Sequence, residues 1–167
     1  YWRRRSDMAN ETAKLRSFST INRAVDSLDQ DVFWTGHGRI RVRPFYTSTR
    51  YRLTILSDKD SVNWYFGKEW FIDYVNEHEY RLYRDEATDT ILSLDSVINY
   101  QEWKFRISLI DDSGYDTYSF IFNDPTSNTK TYKSKLQIET DEERGTVITL
   151  KSQGPVGERE ADFLNML

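Results

Sequence analysis

Apolar residues in the first thirty positions recur with a helical period. Leu15, Phe18, Ile21, Val25 and Leu28 are spaced 3-3-4-3, which puts them on one stripe and predicts a helix over 8–29. Asn10 or Ser6 can cap it, with Glu11 in its first turn. From Val32 to Phe122 the period drops to two, the signature of half-buried strands. Val32-Phe33-Trp34 is short and is interrupted by Gly36 and Gly38. Residues 39–46 alternate, and Pro44 marks an edge strand or a strand end. Tyr51-Leu53-Ile55, Val62-Trp64-Phe66, 70–75 and 80–84 follow, with a turn at 76–79. The DEATD segment at 85–89 is a turn, Ile91-Leu92 a short strand, and 96–101 a helical turn or loop.

Trp103, Phe105, Ile107 and Leu109 against Lys104, Arg106 and Ser108 make the clearest strand in the chain. Residues 111–114 are a turn by composition, and Tyr118, Phe120 and Phe122 are expected to return as the hairpin partner. Polar residues 126–134 form a loop or a short helix. Leu136 and Ile138, then Val147, Ile148 and Leu150, predict two strands around the DEERG turn. Gly154-Pro155 leads into a helix over 158–167.

The expected fold class is α+β. Terminal helices pack on a sheet built partly from the last two strands, with an inserted antiparallel β-sandwich or barrel-like subdomain. The boundaries place 1–34 plus 132–167 in an α/β base and 35–131 in the insertion. The last helix stops mid-pattern at Phe163-Leu164-Asn165-Met166-Leu167, and the chain opens on YWRRR, so a piece of a longer protein is expected.

Composition sharpens this picture. The chain has 167 residues, enough for one domain with a real core. Aromatics make up 15%, a density that favours strands. Net charge is −4, from 23 basic and 27 acidic residues, too balanced for a general nucleic-acid binder. There are no cysteines, so disulfides and Cys-ligated zinc are excluded.

Candidate chemistry is sparse. Asp73, Glu77, Glu79, Asp111 and Asp112 could supply a glycosidase carboxylate pair, but most lie in turn sequences. His37 and His78, the only histidines, are far apart, and no metal site or cofactor is expected. No G-x-S-x-G elbow and no Walker A or kinase glycine loop occurs. More distinctive is the alternation of Arg39, Arg41 and Arg43 with Ile40 and Val42, which puts three guanidiniums on one strand face. Arg3, Arg4 and Arg5 form a second cluster. Such arginines suit a carboxylate or phosphate: an acidic glycan, a headgroup, or acids on a neighbouring strand or subunit. Trp64, Phe66, Trp103 and Phe105 are expected in the core. Trp34, Tyr65, Tyr74 and Tyr83 are candidates for exposed sugar-stacking rings.

Several stretches carry a family likeness. ETAKLRSFSTINRAVDSLDQDVFW, GRIRVRPFYTSTRYRLTI, YFGKEWFI and above all TYKSKLQIETDEERGTVITLKSQGPVGEREADFLNML are the stretches that carry it, spread along nearly the whole chain. With them the chain resembles the periplasmic region of polysaccharide copolymerases, the chain-length-determinant (Wzz-like) family. The resemblance is closest to capsular and exopolysaccharide members often fused to a cytoplasmic tyrosine autokinase. Thr49-Arg50-Tyr51 departs from the family pattern, where proline and phenylalanine are commoner.

The resemblance implies a non-catalytic domain at the periplasmic face of the bacterial inner membrane, flanked by transmembrane helices in the parent protein. It implies a homo-oligomer that works with the polymerase and export machinery, and in contact with polysaccharide if polymer reaches the domain. No catalytic residue is carried over. A closed ring needs two different patches per subunit. Arg39, Arg41 and Arg43 against Asp141, Glu142 and Glu143 are the candidate pair. The alternative reading is a glycan-binding β-sandwich module.

Overall fold

Ser17 breaks the first helical stripe in two. The computed structural model describes residues 2–28, 30–58, 66–111, 113–141 and 147–167, without the side chains of 2–5. Helix α1 spans Trp2–Leu15 and helix α2 spans Phe18–Asp26. Between them Ser17 is extended, and its Oγ accepts the Thr20 amide at 3.2 Å. A serine hydroxyl competes well for free amides at a helix start, so the cap is Ser17. Asn10 and Ser6, the expected caps, lie inside α1. Of the predicted stripe, Ile21, Val25 and Leu28 are buried, while Phe18, in the first turn after the cap, is exposed.

Among the described residues the fold is α+β, with four helices and eleven strands. The strands are β1 (Val32–His37), β2 (Val42–Phe45), β3 (Tyr51–Ile55), β4 (Glu69–Tyr74), β5 (Glu79–Tyr83) and β6 (Thr90–Ser93). Then come β7 (Val97–Tyr100), β8 (Trp103–Leu109), β9 (Thr117–Phe122), helix α3 (Pro125–Lys135), β10 (Gln137–Thr140), β11 (Ile148–Lys151) and helix α4 (Gly157–Met166).

The chain divides into two compact units, 1–30 with 125–167, and 31–124. The expected boundaries were 34/35 and 131/132. They move because β1 pairs with β9 inside the second unit, whereas all of α3 belongs to the first, where Tyr132 and Asn128 help build the core.

In the first unit, Ile21, Ala24, Val25 and Leu28 pack with Tyr132 of α3 and Phe163 of α4, and Leu136, Leu164 and Leu167 close the edge. The Tyr132 and Phe163 rings are 4.4 Å apart. Three of its polar side chains form a buried chain of hydrogen bonds: Gln30 Nε2 donates to the Tyr132 hydroxyl at 3.0 Å, and Asn128 Nδ2 donates to Gln30 Oε1 at 3.1 Å. Strands β10 and β11 form an antiparallel pair with Ile138 opposite Leu150. Of the expected DEERG turn at 141–145, residues 142–145 lie outside the described residues.

The second unit is a sandwich of two open antiparallel sheets, neither closed into a barrel. One has the order β2-β1-β9-β4-β5-β6 and the other β3-β8-β7. Their inner faces share one core, including Trp34, Trp70, Tyr80 and Phe120 from the larger sheet and Tyr51, Trp103, Phe105 and Ile107 from the smaller. Strand β2 is an edge, where Pro44 needs no ladder amide.

Two strand expectations are corrected. Residues 97–100 form β7 rather than a helical turn or loop, bracketed by left-handed Asp95 (φ 61°) and Gln101 (φ 54°). Strands β8 and β9 are not a hairpin: β9 pairs with β1 and β4, and β8 with β3 and β7. Both strands have an aromatic inner face, so they meet as facing layers, with Trp103 and Phe122 rings 4.2 Å apart. The Val62-Trp64 part of the predicted third strand lies outside the described residues. Phe66 packs against the core.

Candidate functional site

The β1–β2 connection builds the most distinctive surface. Strand β1 ends at His37, and the Gly38 amide donates to the Arg41 carbonyl at 2.9 Å, closing a tight bend. Arg39 and Arg41 therefore lie in the bend, and only Arg43 lies on β2, so the three guanidiniums do not share a strand face. The physical reason is the tight reversal that the Gly38 amide closes on the Arg41 carbonyl, which leaves Arg39 and Arg41 in the bend and starts β2 only at Val42. All three arginines are exposed, and among the described residues none makes an ion pair. The Arg43 guanidinium lies 5.6 Å over the Phe45 ring. Ile40 at the tip is 93% exposed and Val42 is 64% exposed.

Beneath the bend lies an open depression of about 840 Å³, lined by residues that include His37, Arg39, Ile40, Arg41, Tyr115 and Asp116. Its wall is rigid. The Tyr115 ring lies flush against the glycine backbone: a Cβ on Gly36 would meet Tyr115 Cδ2 at 2.5 Å, and one on Gly38 would meet Cε1 at 2.7 Å. Phe45 and Tyr118 flank that ring edge-on at 5.7 and 5.8 Å. Buried Arg50 holds the Tyr115 carbonyl through Nη1 at 3.0 Å and stacks on Tyr74 at 4.3 Å. Sequence reasoning missed Arg50 because a lone arginine before a strand carries no sign of burial.

His37 connects the depression to the outer face of the larger sheet. Its Nε2 is 2.7 Å from Ser119 Oγ, and its ring is 5.6 Å from Phe71. Phe71 stacks with Tyr83 at 5.4 Å. Asp73 accepts from Thr117 at 2.7 Å and from the Tyr83 hydroxyl at 3.4 Å. Burial, then the Asp73 charge, push the Tyr83 hydroxyl above its ordinary range. Arg81 stacks over Tyr83 at 4.8 Å and holds Asp89 bidentately at 2.7 and 2.5 Å, and those bonds draw the Asp89 carboxyl below its usual range.

The remaining candidates are dispersed. Trp34, considered for sugar stacking, is buried in the core because its β1 parity faces the smaller sheet. Tyr74 lies under Arg50, and Tyr65 is outside the described residues. Asp111 accepts the Ser113 amide at 2.9 Å, which lowers its pKa, as a turn carboxylate does. Glu77 is exposed in the β4–β5 turn, Glu79 is exposed at the start of β5, and Asp112 lies outside the described residues. Among the described residues no three His, Asp or Glu side chains converge as a metal site. Asp141 is exposed after β10 in the first unit, whereas Arg39, Arg41 and Arg43 belong to the second; Glu142 and Glu143 lie outside the described residues.

The chain matches no family model and no curated protein. Among solved structures, FlgL of Xanthomonas campestris is similar over 83% of this chain and 40% of that chain, at 16% identity and a TM-score of 0.30. This chain thus spans about two-fifths of that protein, and so low a score carries no argument about fold or function.

Proposed function

We propose that this chain is a non-catalytic extracytoplasmic domain of an inner-membrane protein that sets the length of a capsular or exopolysaccharide and acts by homo-oligomeric assembly. The observation that supports this reading is the insertion topology. Residues from both ends of the sequence, Ile21 and Phe163, share one helical core, and 31–124, which lie between them in the sequence, fold as a separate aromatic sandwich. An α/β base with a β-rich insertion is the organisation that the sequence pattern predicts. Among the described residues no helix is long and apolar enough to cross a membrane.

Assembly contacts between repeated subunits are heterologous, and the Arg39–Arg43 bend is one candidate half. In the full-length membrane protein, Arg41→Glu is expected to shrink the oligomer measured by light scattering in detergent, while Arg41→Lys leaves it intact. Deletion of the full-length protein in its own host is expected to broaden or shift the length distribution of surface polysaccharide on gels. An unchanged distribution would overturn the assignment.

A further inference from the structure

We infer that the depression beneath the β1–β2 bend is a binding site for an acidic saccharide, one sugar unit of which carries a single carboxylate among hydroxyls. The inference adds a ligand site to the assembly role proposed above. It does not depend on that role, because it concerns binding by this chain alone.

The charges select the ligand. Arg39 and Arg41 line one depression and, among the described residues, have no acid partner. Two arginines lining one depression in a chain of net charge −4 offer a local anion site, and a planar carboxylate satisfies the forked donors of a guanidinium. Asp116 lines the same depression. Its carboxylate repels a densely charged phosphate or a polyanion but accepts hydrogen bonds from hydroxyl groups. One acid group and several hydroxyls on the same ring fit both ends of the site; inorganic phosphate fits only one.

The apolar parts agree. Tyr115 is held by glycine backbone, Phe45, Tyr118 and Arg50, so its ring is preorganised and loses little entropy on contact. Ile40 stands almost fully exposed at the rim, where the C–H face of a sugar can cover it. From His37 the outer sheet face continues through half-buried Phe71 and Tyr83, with Thr117 and Asp73 between them. A second sugar unit can lie along that row.

The test is a titration of the 167-residue chain with a galacturonate oligomer, with a maltose oligomer of equal length, and with inorganic phosphate, read by calorimetry and amide NMR shifts. Saturable binding of the acidic oligomer is expected, with shifts at Gly38, Tyr115 and Asp116, and at least about ten-fold weaker binding of the neutral one. The exposed pair Arg39→Ala/Arg41→Ala is expected to lose about ten-fold or more in affinity at unchanged melting temperature. Asp116→Asn is expected to weaken the saccharide while tightening phosphate. Three results would overturn the site: no saturable binding, binding indifferent to the arginine substitutions, or phosphate binding as tightly as the acidic sugar. None of these bears on polysaccharide length in cells. Conversely, an unchanged length distribution would leave measured binding in place.

Discussion

Lys135 Nζ lies 3.0 Å from Glu160 Oε1, joining the end of α3 to the first turn of α4. Glu160 is only 3% exposed, and its other oxygen accepts from Ser152 Oγ. The carboxylate also sits where a helix N-terminus favours negative charge. Gly154 makes the arrangement possible, because a Cβ there would reach Glu160 Oε1 at 1.9 Å.

Glu160→Ala is therefore expected to destabilise the chain by about 1–3 kcal/mol, since it strands the Lys135 ammonium and the Ser152 hydroxyl. Gly154→Ala alone should cost a similar ~1–3 kcal/mol by displacing the carboxylate from its partners. Made in the Glu160→Ala background, Gly154→Ala should cost much less. Urea unfolding of the four chains gives the coupling energy, and additive costs would contradict the packing argument.

Gly36→Ala tests the wall of the depression. The new methyl would meet Tyr115 at 2.5 Å and Phe45 Cε2 at 2.7 Å, and neither ring has a flexible end that could swing away. Overpacking of this kind costs about 1–3 kcal/mol. The expected signature is a lower urea midpoint together with altered amide shifts at Tyr115.

Ser17→Ala should lower stability by ~1 kcal/mol through loss of the α2 cap, whereas Asn10→Ala should be close to neutral because Asn10 is an exposed position inside α1. Equal effects from both, in thermal melts, would contradict the break between α1 and α2.

Alkaline pH should unfold the sandwich. Burial pushes the Tyr51 hydroxyl from 10.0 up to about 12, against the pull of Arg50, and burial together with Tyr51 and Asp95 raises Tyr80 as well. Both are held protonated in the folded chain and release their protons more readily when unfolded. The Tyr51 contribution is therefore intact below pH 10 and is lost as pH rises through about 12, and that of Tyr80 is lost in the same direction. Among the described residues the Tyr80 hydroxyl is buried without a hydrogen-bond partner. Tyr80→Phe is thus expected to be neutral or stabilising by ~1 kcal/mol at pH 7, and to flatten the alkaline loss measured by pH-dependent urea melts.

The strands most legible in the sequence were those whose apolar face is continuous. Trp103, Phe105 and Ile107 alternate without interruption, and all three are buried. Asn76 was legible as a turn because its side chain can bond amides two and three residues ahead, as it does at 2.8 and 2.9 Å to His78 and Glu79. Strand β7 was not legible, because four residues between two left-handed turns are too few to show a period. The depression was half legible. Its arginines stood out, but its acceptor Asp116 and its wall Tyr115 lie more than seventy residues away along the chain.

Local pattern by itself determined the inward face of the uninterrupted strands, several of the turns, and that helices precede and follow a strand-rich middle along the chain. Those features depend on the periods of 3.6 and 2 and on turn chemistry, which act between near neighbours. Tertiary structure alone decided that β9 pairs with β1 and β4 instead of β8, that Arg50 is buried, and that Arg39 and Arg41 leave the strand. An alternating strand states which face is apolar but not which edge it will bond. That choice is made by the packing of one aromatic face against another across the sandwich.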